Sequence, residues 1–411
     1  MLTANASRSG HFTKQRAVLF FLHAMLLSFG CTPSPISEPA AWNRPDTTSP
    51  ECNINIESAE FQTGKDGRPL LIPLVWNGKT FTFLLDTGTS RTTFDTSLTS
   101  ELGKPIGRTT ARTTTGTIGT DLFLCPDVTV DGLPLSSLES IAVVDLQPLR
   151  QATAEDIRGI LGADFLQRFV VSIDFDQGLV QFHESLTSQI NVEETWLPMQ
   201  VDPSGRPHVI ATIGQQGKEM VLLDTGATGG GTVRAELFDR LVDRGEIASC
   251  NNEIGLTAGG SFTQSSGYLS ILQVDRFRPD SPRVARHFES SVGLDWLSRF
   301  QVAIDFPNRR VMLKRGNRFD ERFSKATSGF VIIDMGGRKF VTQIRPNSPA
   351  SAAGLSEGDE VLRIGKEQSY RMDMFTVRKL LTEKVGKVVD LTIRRGSSEF
   401  STSIELVDRM K

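Results

Sequence analysis

One heptapeptide occurs twice in this chain, and its recurrence limits the architectures the chain can adopt. Leu84-Leu85-Asp86-Thr87-Gly88-Thr89-Ser90 and Leu222-Leu223-Asp224-Thr225-Gly226-Ala227-Thr228 share the pattern Leu-Leu-Asp-Thr-Gly at a spacing of 138 residues (224 − 86). A second pair of motifs follows in the same order. Leu161-Gly162-Ala163-Asp164-Phe165-Leu166 is matched by Val292-Gly293-Leu294-Asp295-Trp296-Leu297, here 131 residues apart (293 − 162). Both run on to an Arg-Phe pair and then to Ile-Asp-Phe, at 173–175 and 304–306. Two motif pairs in one order imply two units of like fold, 51–190 and 194–315.

The local pattern within each unit is β. Residues 70–76 are apolar and end at Asn77-Gly78, a strong hairpin signal, so a return strand over 79–85 delivers Asp86. In the second unit 208–213 leads to a turn at Gln216-Gly217, and 219–223 delivers Asp224. Each Asp-Thr-Gly therefore stands at the end of a strand returning from a hairpin. The rest alternates short β-like runs with Gly, Pro, Asn and Asp turns. Asp164, Asp174, Asp295 and Asp305 also recur, but they stand beside bulky apolar residues and read as structural.

Outside the repeat the text changes character. Residues 1–31 carry Arg8, Lys14 and Arg16 and no acid ahead of an apolar run at 17–30, the layout of an export signal. Cys31 stands where a lipid-bearing cysteine would follow, although Ser28 and Phe29 depart from the usual pattern there. A Pro-, Ser- and Thr-rich stretch at 32–50 reads as a tether. The expectation is an exported protein of the periplasm or cell envelope, either soluble or anchored to a membrane through its N-terminus. Residues 315–327 are polar and charged and read as a linker. Beyond it, strands near 329–333, 340–344, 388–394 and 400–406 and a helix over 375–384 make a small α+β domain at 325–411.

Charge and cysteine content exclude several classes. With 45 basic and 48 acidic residues the net charge is −3, which gives no reason to expect a nucleic-acid partner. Cys31, Cys52, Cys125 and Cys250 form no CxxC pair. They are compatible with one disulfide, Cys52–Cys125 being the first candidate, or with buried thiols. The five histidines show no ligand-like spacing and there is no HExxH motif, so neither a metal nor a cofactor is expected.

The duplicated Asp-Thr-Gly has its own chemical logic. A carboxylate at the end of a strand is presented to a substrate, and the glycine two places on allows a tight turn. The threonines, Thr87 and Thr225, can bond across to the partner loop. Two such loops related by a pseudo-two-fold axis bring two carboxylates together. At that distance both cannot ionise, so the pair holds one proton. One carboxylate then serves as base toward water while the other hydrogen-bonds the substrate carbonyl. Thr89 offers a hydroxyl three residues after Asp86, whereas the matching Ala227 offers none. Asp86 is therefore expected to carry the charge and Asp224 the proton.

These motifs resemble the aspartic protease superfamily, whose lobes each carry an apolar-apolar-Asp-Thr-Gly loop and a later apolar-apolar-Gly segment. Here the later segments are Ile160-Leu161-Gly162 and Ser291-Val292-Gly293. The resemblance, closer to the retroviral-like bacterial branch than to pepsins, implies two tandem acid-protease β lobes and endopeptidase activity on peptides or unfolded proteins, the alternative being a non-catalytic peptide-binding protein on a protease scaffold. It implies catalysis by Asp86 and Asp224, supported by Thr87, Gly88, Thr89, Thr225, Gly226 and Ala227. It also implies flaps around Gly116 and around Gly259-Gly260. The last 85 or so residues resemble a bacterial protease-associated PDZ domain through Gly329-Phe330 and the stretch 348–361. That likeness implies a groove at Gly329, Phe330, Val331 and Phe375 for a peptide or protein C-terminus.

Overall fold

The computed structural model describes residues 58–113, 116–184, 196–215, 217–257 and 260–408, with the backbone of two short N-terminal strands, Leu19–Leu22 and Ser28–Phe29. Cys31, Cys52 and the stretch 32–50 lie outside the described residues. The chain folds as two β lobes and a smaller C-terminal domain.

In the first lobe β1 (Leu71–Trp76) and β2 (Lys79–Leu85) form the expected hairpin. Its turn residues Asn77 and Gly78 both have positive φ, 51° and 71°, the conformation that a two-residue hairpin turn demands. Further along, helix α1 (Gln147–Thr153) was not foreseen; Pro148 stands in its first turn, and Leu149 and Ala152 are buried. Then β3 (Ile157–Leu161) runs parallel to β2, setting Leu161 beside Leu85. The strand β4 (Val170–Asp174) leaves the lobe.

The second lobe repeats the plan. The hairpin of β5 (Pro207–Ile213) and β6 (Lys218–Leu223) presents Asp224, and the short β7 (Ser291–Val292) lies parallel to β6. A helix over Ala235–Asp243 buries Leu237, Phe238 and Leu241. The lobes join through β4 and β8 (Phe300–Asp305), paired antiparallel inside a six-stranded sheet. Ser172 faces Ala303, which is also its mate at the repeat spacing of 131 residues, so the pseudo-two-fold axis passes through this strand pair. One continuous apolar core serves both lobes.

The stretch read as a linker is packed. Phe319 and Phe323 are buried, Phe319 meets Phe300 edge-on at 5.4 Å, and the Arg299 guanidinium lies 3.7 Å from the Phe323 ring centroid. Two aromatic anchors in a polar run were enough to fix it to the second lobe. The C-terminal domain has its own core and a six-stranded sheet. Its strand β9 (Phe330–Met335) pairs, among the described residues, only with Arg338–Ile344, and helix α2 (Met374–Leu381) starts where Asp373 accepts the Thr376 N–H at 2.8 Å.

Cys125 and Cys250 are free cysteines, and the Cys52–Cys125 candidate falls on a residue outside the described ones. The Cys125 thiol faces the Leu135 carbonyl at 3.3 Å, and burial pushes it up to about 12.

Candidate active site

Strand geometry delivers the two aspartates. The Asp86 N–H donates to the Leu161 carbonyl at 3.0 Å and the Asp224 N–H to that of Val292 at 2.9 Å, so each loop leaves its strand at the same point. The threonines then lock the loops together. Thr87 N–H donates to Thr225 Oγ1 and Thr225 N–H to Thr87 Oγ1, both at 3.0 Å. Each hydroxyl in turn donates to a carbonyl of the other lobe, Thr87 to Leu223 at 2.5 Å and Thr225 to Leu85 at 3.0 Å. This reciprocal set is buried and complete, the condition under which a polar network holds one geometry.

The glycines set how closely the loops approach. A Cβ on Gly88 would lie 2.6 Å from Asp224 Oδ1, and one on Gly226 would lie 2.2 Å from Asp86 Cγ. No side chain fits at either position, so each glycine packs directly under the other loop's carboxyl. Both carboxyls are fully buried. Asp86 Oδ1 accepts the N–H groups of Gly88 (2.8 Å) and Thr89 (3.1 Å), and Oδ2 accepts the Thr89 hydroxyl at 2.7 Å. Asp224 Oδ1 accepts the N–H groups of Gly226 and Ala227, both at 3.0 Å, while its Oδ2 has no hydrogen-bond partner among the described residues. Burial pushes Asp86 up to about 6, held back by the Thr89 hydroxyl and the two N–H donors. Burial and then the neighbouring Asp86 charge push Asp224 well above the carboxylate range. The charge therefore favours Asp86 and the proton Asp224.

A network not foreseen in the sequence supports this asymmetry. Arg206 forks onto Glu289 (2.8 and 3.2 Å) and also pairs with Asp202 at 2.7 Å, and His208 Nε2 meets Glu289 at 3.1 Å. The Arg206 charge favours ionised Asp86, and the Glu289 charge opposes ionisation of Asp224. His208, Asp202 and Glu289 bring their ligand atoms within 4.8 Å of one another, so one histidine does join a cluster with ligand geometry. The Arg206 guanidinium already partners both carboxylates there, which favours an ionic network over a metal. Arg206 and Glu289 stand 83 positions apart, beyond the reach of any local motif.

The recurrent acids are tied into the fold, Asp174 and Asp305 by closing turns, Asp164 by a tertiary bond and Asp295 beside Arg318 at 4.0 Å. Asp164 accepts from Thr92 N–H and Oγ1, Asp174 from the N–H groups of Asp176 and Gln177, and Asp305 from Asn308 and Arg310. Gly116 opens the second strand of a hairpin, Gly107–Thr113 with Gly116–Leu124. Gly260 opens the second strand of another, Ile247–Thr257 with Gly260–Leu269; Gly259 lies outside the described residues. From the first hairpin Arg112 reaches the second lobe, its guanidinium 4.1 Å from the Phe288 ring centroid.

Residues 72–165 match the family model of an aspartyl protease, and residues 340–395 match that of a PDZ domain. The chain joins an aspartyl-protease-like β fold to a PDZ-like domain. Among solved structures it is similar to an aspartic proteinase from Irpex lacteus, with 16% identity, 64% of this chain and 98% of that chain covered, and a TM-score of 0.39. It is similar to the PDZ domain of a carboxy-terminal protease from Vibrio cholerae in complex with peptide, with 18% identity, 21% and 96% covered, and a TM-score of 0.19. No protein of curated function matches it. The two family matches support a protease that carries a PDZ domain.

Of the PDZ residues named from sequence, Phe330, Val331 and Phe375 line one cavity and Gly329 does not. Gly329, at φ 80°, precedes edge strand β9, in which Phe330 and Val331 are buried. Phe375 lies in the first turn of α2, with the Arg68 guanidinium of the first lobe 4.9 Å from its ring centroid. The groove thus faces the β lobes.

Proposed function

We propose that the protein is an aspartic endopeptidase in which Asp86 and Asp224 share one proton, with a PDZ domain that binds the C-terminal end of a peptide. The mutual packing of each loop's glycine under the other loop's carboxyl carries this reading, because it holds two carboxyls at a separation that forbids double ionisation. Asp86, with three donors, takes a proton from water as the water oxygen bonds to the substrate carbonyl carbon. Asp224 gives its proton to the carbonyl oxygen. The tetrahedral diol then collapses. The C–N bond breaks, the leaving nitrogen takes the proton held by Asp86, and one hydroxyl returns its proton to Asp224. Each peptide bond yields one carboxyl and one amine, and the dyad is restored.

Digestion of denatured casein between pH 3 and 8 tests the reading. The chain cuts it, and Asp86→Ala and Asp224→Ala each abolish cutting while folding normally. Cleavage that survives either substitution would refute a shared dyad. The apolar leader and Cys31 further support export with a lipid anchor. Cys31→Ser should then move the protein from the membrane to the soluble fraction of the cell envelope.

A further inference from the structure

The tripeptide Gly-Arg-Pro occurs twice, as Gly67-Arg68-Pro69 and Gly205-Arg206-Pro207, at the 138-residue spacing of the two aspartates (206 − 68). Each leads into the hairpin of its own lobe and packs on the other lobe. A Cβ on Gly67 would lie 2.7 Å from Ser298 Oγ and 3.4 Å from the Leu294 carbonyl oxygen, and one on Gly205 would lie 3.5 Å from Ala163 Cβ and from Gln167 Oε1. Those contacts are mates as well, at 131 residues (294 − 163 and 298 − 167). The Leu294 N–H donates to the Ala227 carbonyl and the Ala163 N–H to that of Thr89, both at 2.7 Å. Each arginine turn thus rests on the segment that holds the opposite lobe's aspartate loop. Arg68 stands to Asp224 as Arg206 stands to Asp86.

Their acid partners break the symmetry. Arg206 finds Glu289 and Asp202 within its own lobe. The mates of these acids in the first lobe are Arg158 (289 − 131) and Gly64 (202 − 138), so neither can serve Arg68. The third domain serves it instead. Arg68 Nη1 donates to Asp373 Oδ2 at 2.6 Å, its Nη2 donates to the Thr376 hydroxyl at 2.9 Å, and the guanidinium lies 4.9 Å from the Phe375 ring centroid. The turn itself is fastened by the lobes, since the Asp66 N–H donates to the Phe175 carbonyl at 2.9 Å and Arg318 donates to the Asp66 carbonyl at 2.5 Å. Without Asp373 the arginine therefore keeps its place and loses its acid. The other charged groups around it are Lys65 and Asp66 of its own turn, Glu155 of the first lobe, Asp295 with Arg318 of the second, and Arg378 of α2.

A cation beside a carboxyl favours its ionised form. In the second lobe that effect is useful, because the Arg206 charge supports ionised Asp86. The same effect in the first lobe would draw charge onto Asp224 and level the two carboxyls. We propose that Asp373 is a positioning residue for the dyad: by holding Arg68 on the third domain it keeps that cation from Asp224, which stays the protonated partner. The docked domain is then part of the catalytic unit. This rests on the protease reading above for its consequence, but the charge effect is measurable without turnover.

Two substitutions break the same ion pair and act in opposite ways. Full-length chains carry 13C on their aspartate carboxyls, and the Asp224 signal is assigned by its loss in Asp224→Asn. Asp373→Asn, which still caps α2, frees Arg68 and lowers the pH at which the dyad loses its last proton by about one unit. Arg68→Met breaks the pair from the other side and does not lower it. Arg68→Met added to Asp373→Asn cancels the fall, and Asp373→Glu keeps the parent value. On a fluorogenic peptide the falling limb of kcat/KM moves down in Asp373→Asn alone. A merely structural docking contact predicts the same result for both single variants. Equal shifts in the two, or no shift in Asp373→Asn because Glu155 takes up the released arginine, would overturn the proposal. Carboxyls that titrate as predicted in a chain that cuts no peptide would uphold the charge effect and refute the protease reading instead.

Discussion

At the residue scale the two aspartates differ through one hydroxyl. Thr89 bonds Asp86 and favours its ionised form, and Ala227 leaves Asp224 without an equivalent. Under the proposed mechanism activity needs Asp86 charged, so kcat/KM should rise with pH through a limb near 6, the value to which burial lifts Asp86. It needs Asp224 protonated, so a second limb falls at higher pH. Thr89→Val removes a donor to the ionised form, raises the Asp86 pKa and moves the acid limb up by about one pH unit, worth about 1.4 kcal/mol. Ala227→Ser supplies a donor to Asp224 and moves the falling limb down. Profiles of kcat/KM on a fluorogenic peptide check both shifts; limbs that stay in place under both substitutions contradict the assignment of charge.

At the element scale the lobes are joined by a lock of two threonines on paired loops. Thr87→Val leaves the Thr225 N–H and the Leu223 carbonyl without partners in a dry interface, at a cost of about 2–4 kcal/mol. A lowered urea midpoint at constant slope measures it. On the proposed reading the hairpin that carries Arg112 is a flap, and its contact with Phe288 must part before a substrate reaches the buried carboxyls. Arg112→Ala is expected to raise kcat/KM at unchanged acid limb. The strands behind this site were legible because Asn77-Gly78 and the apolar runs before each Asp-Thr-Gly are local signals. The two longer lobe helices were not, since Gln147–Thr153 spans two turns and Ala235–Asp243 sits amid β-like text. The Arg206–Glu289 fork was hidden for a different reason, because tertiary contacts alone bring its members together.

At the scale of the whole molecule, the duplicated sequence becomes a symmetry axis, visible where Ser172 faces Ala303. Its third domain is docked, and the linker at 315–327 is packed rather than loose because Phe319 and Phe323 are buried. Asp373 is partly buried, yet hydrogen bonds from Arg68 and Thr376 hold its carboxyl below the usual range. A depressed carboxyl contributes to docking above its unfolded value of about 3.9 and loses that contribution as pH falls through the folded one. Small-angle scattering should therefore report a compact chain at neutral pH that expands only below about pH 4. Arg68→Ala should expand it at neutral pH as well.

The central claim is that Asp86 and Asp224 act as one unit, and a double-mutant cycle addresses it most directly. The account predicts that Asp86→Asn, Asp224→Asn and the double substitution each reduce kcat on one fluorogenic peptide by about the same factor, on the order of a thousandfold or more. Losses that multiply in the double variant, or a single variant that retains wild-type kcat, would show two independent carboxyls and contradict the dyad.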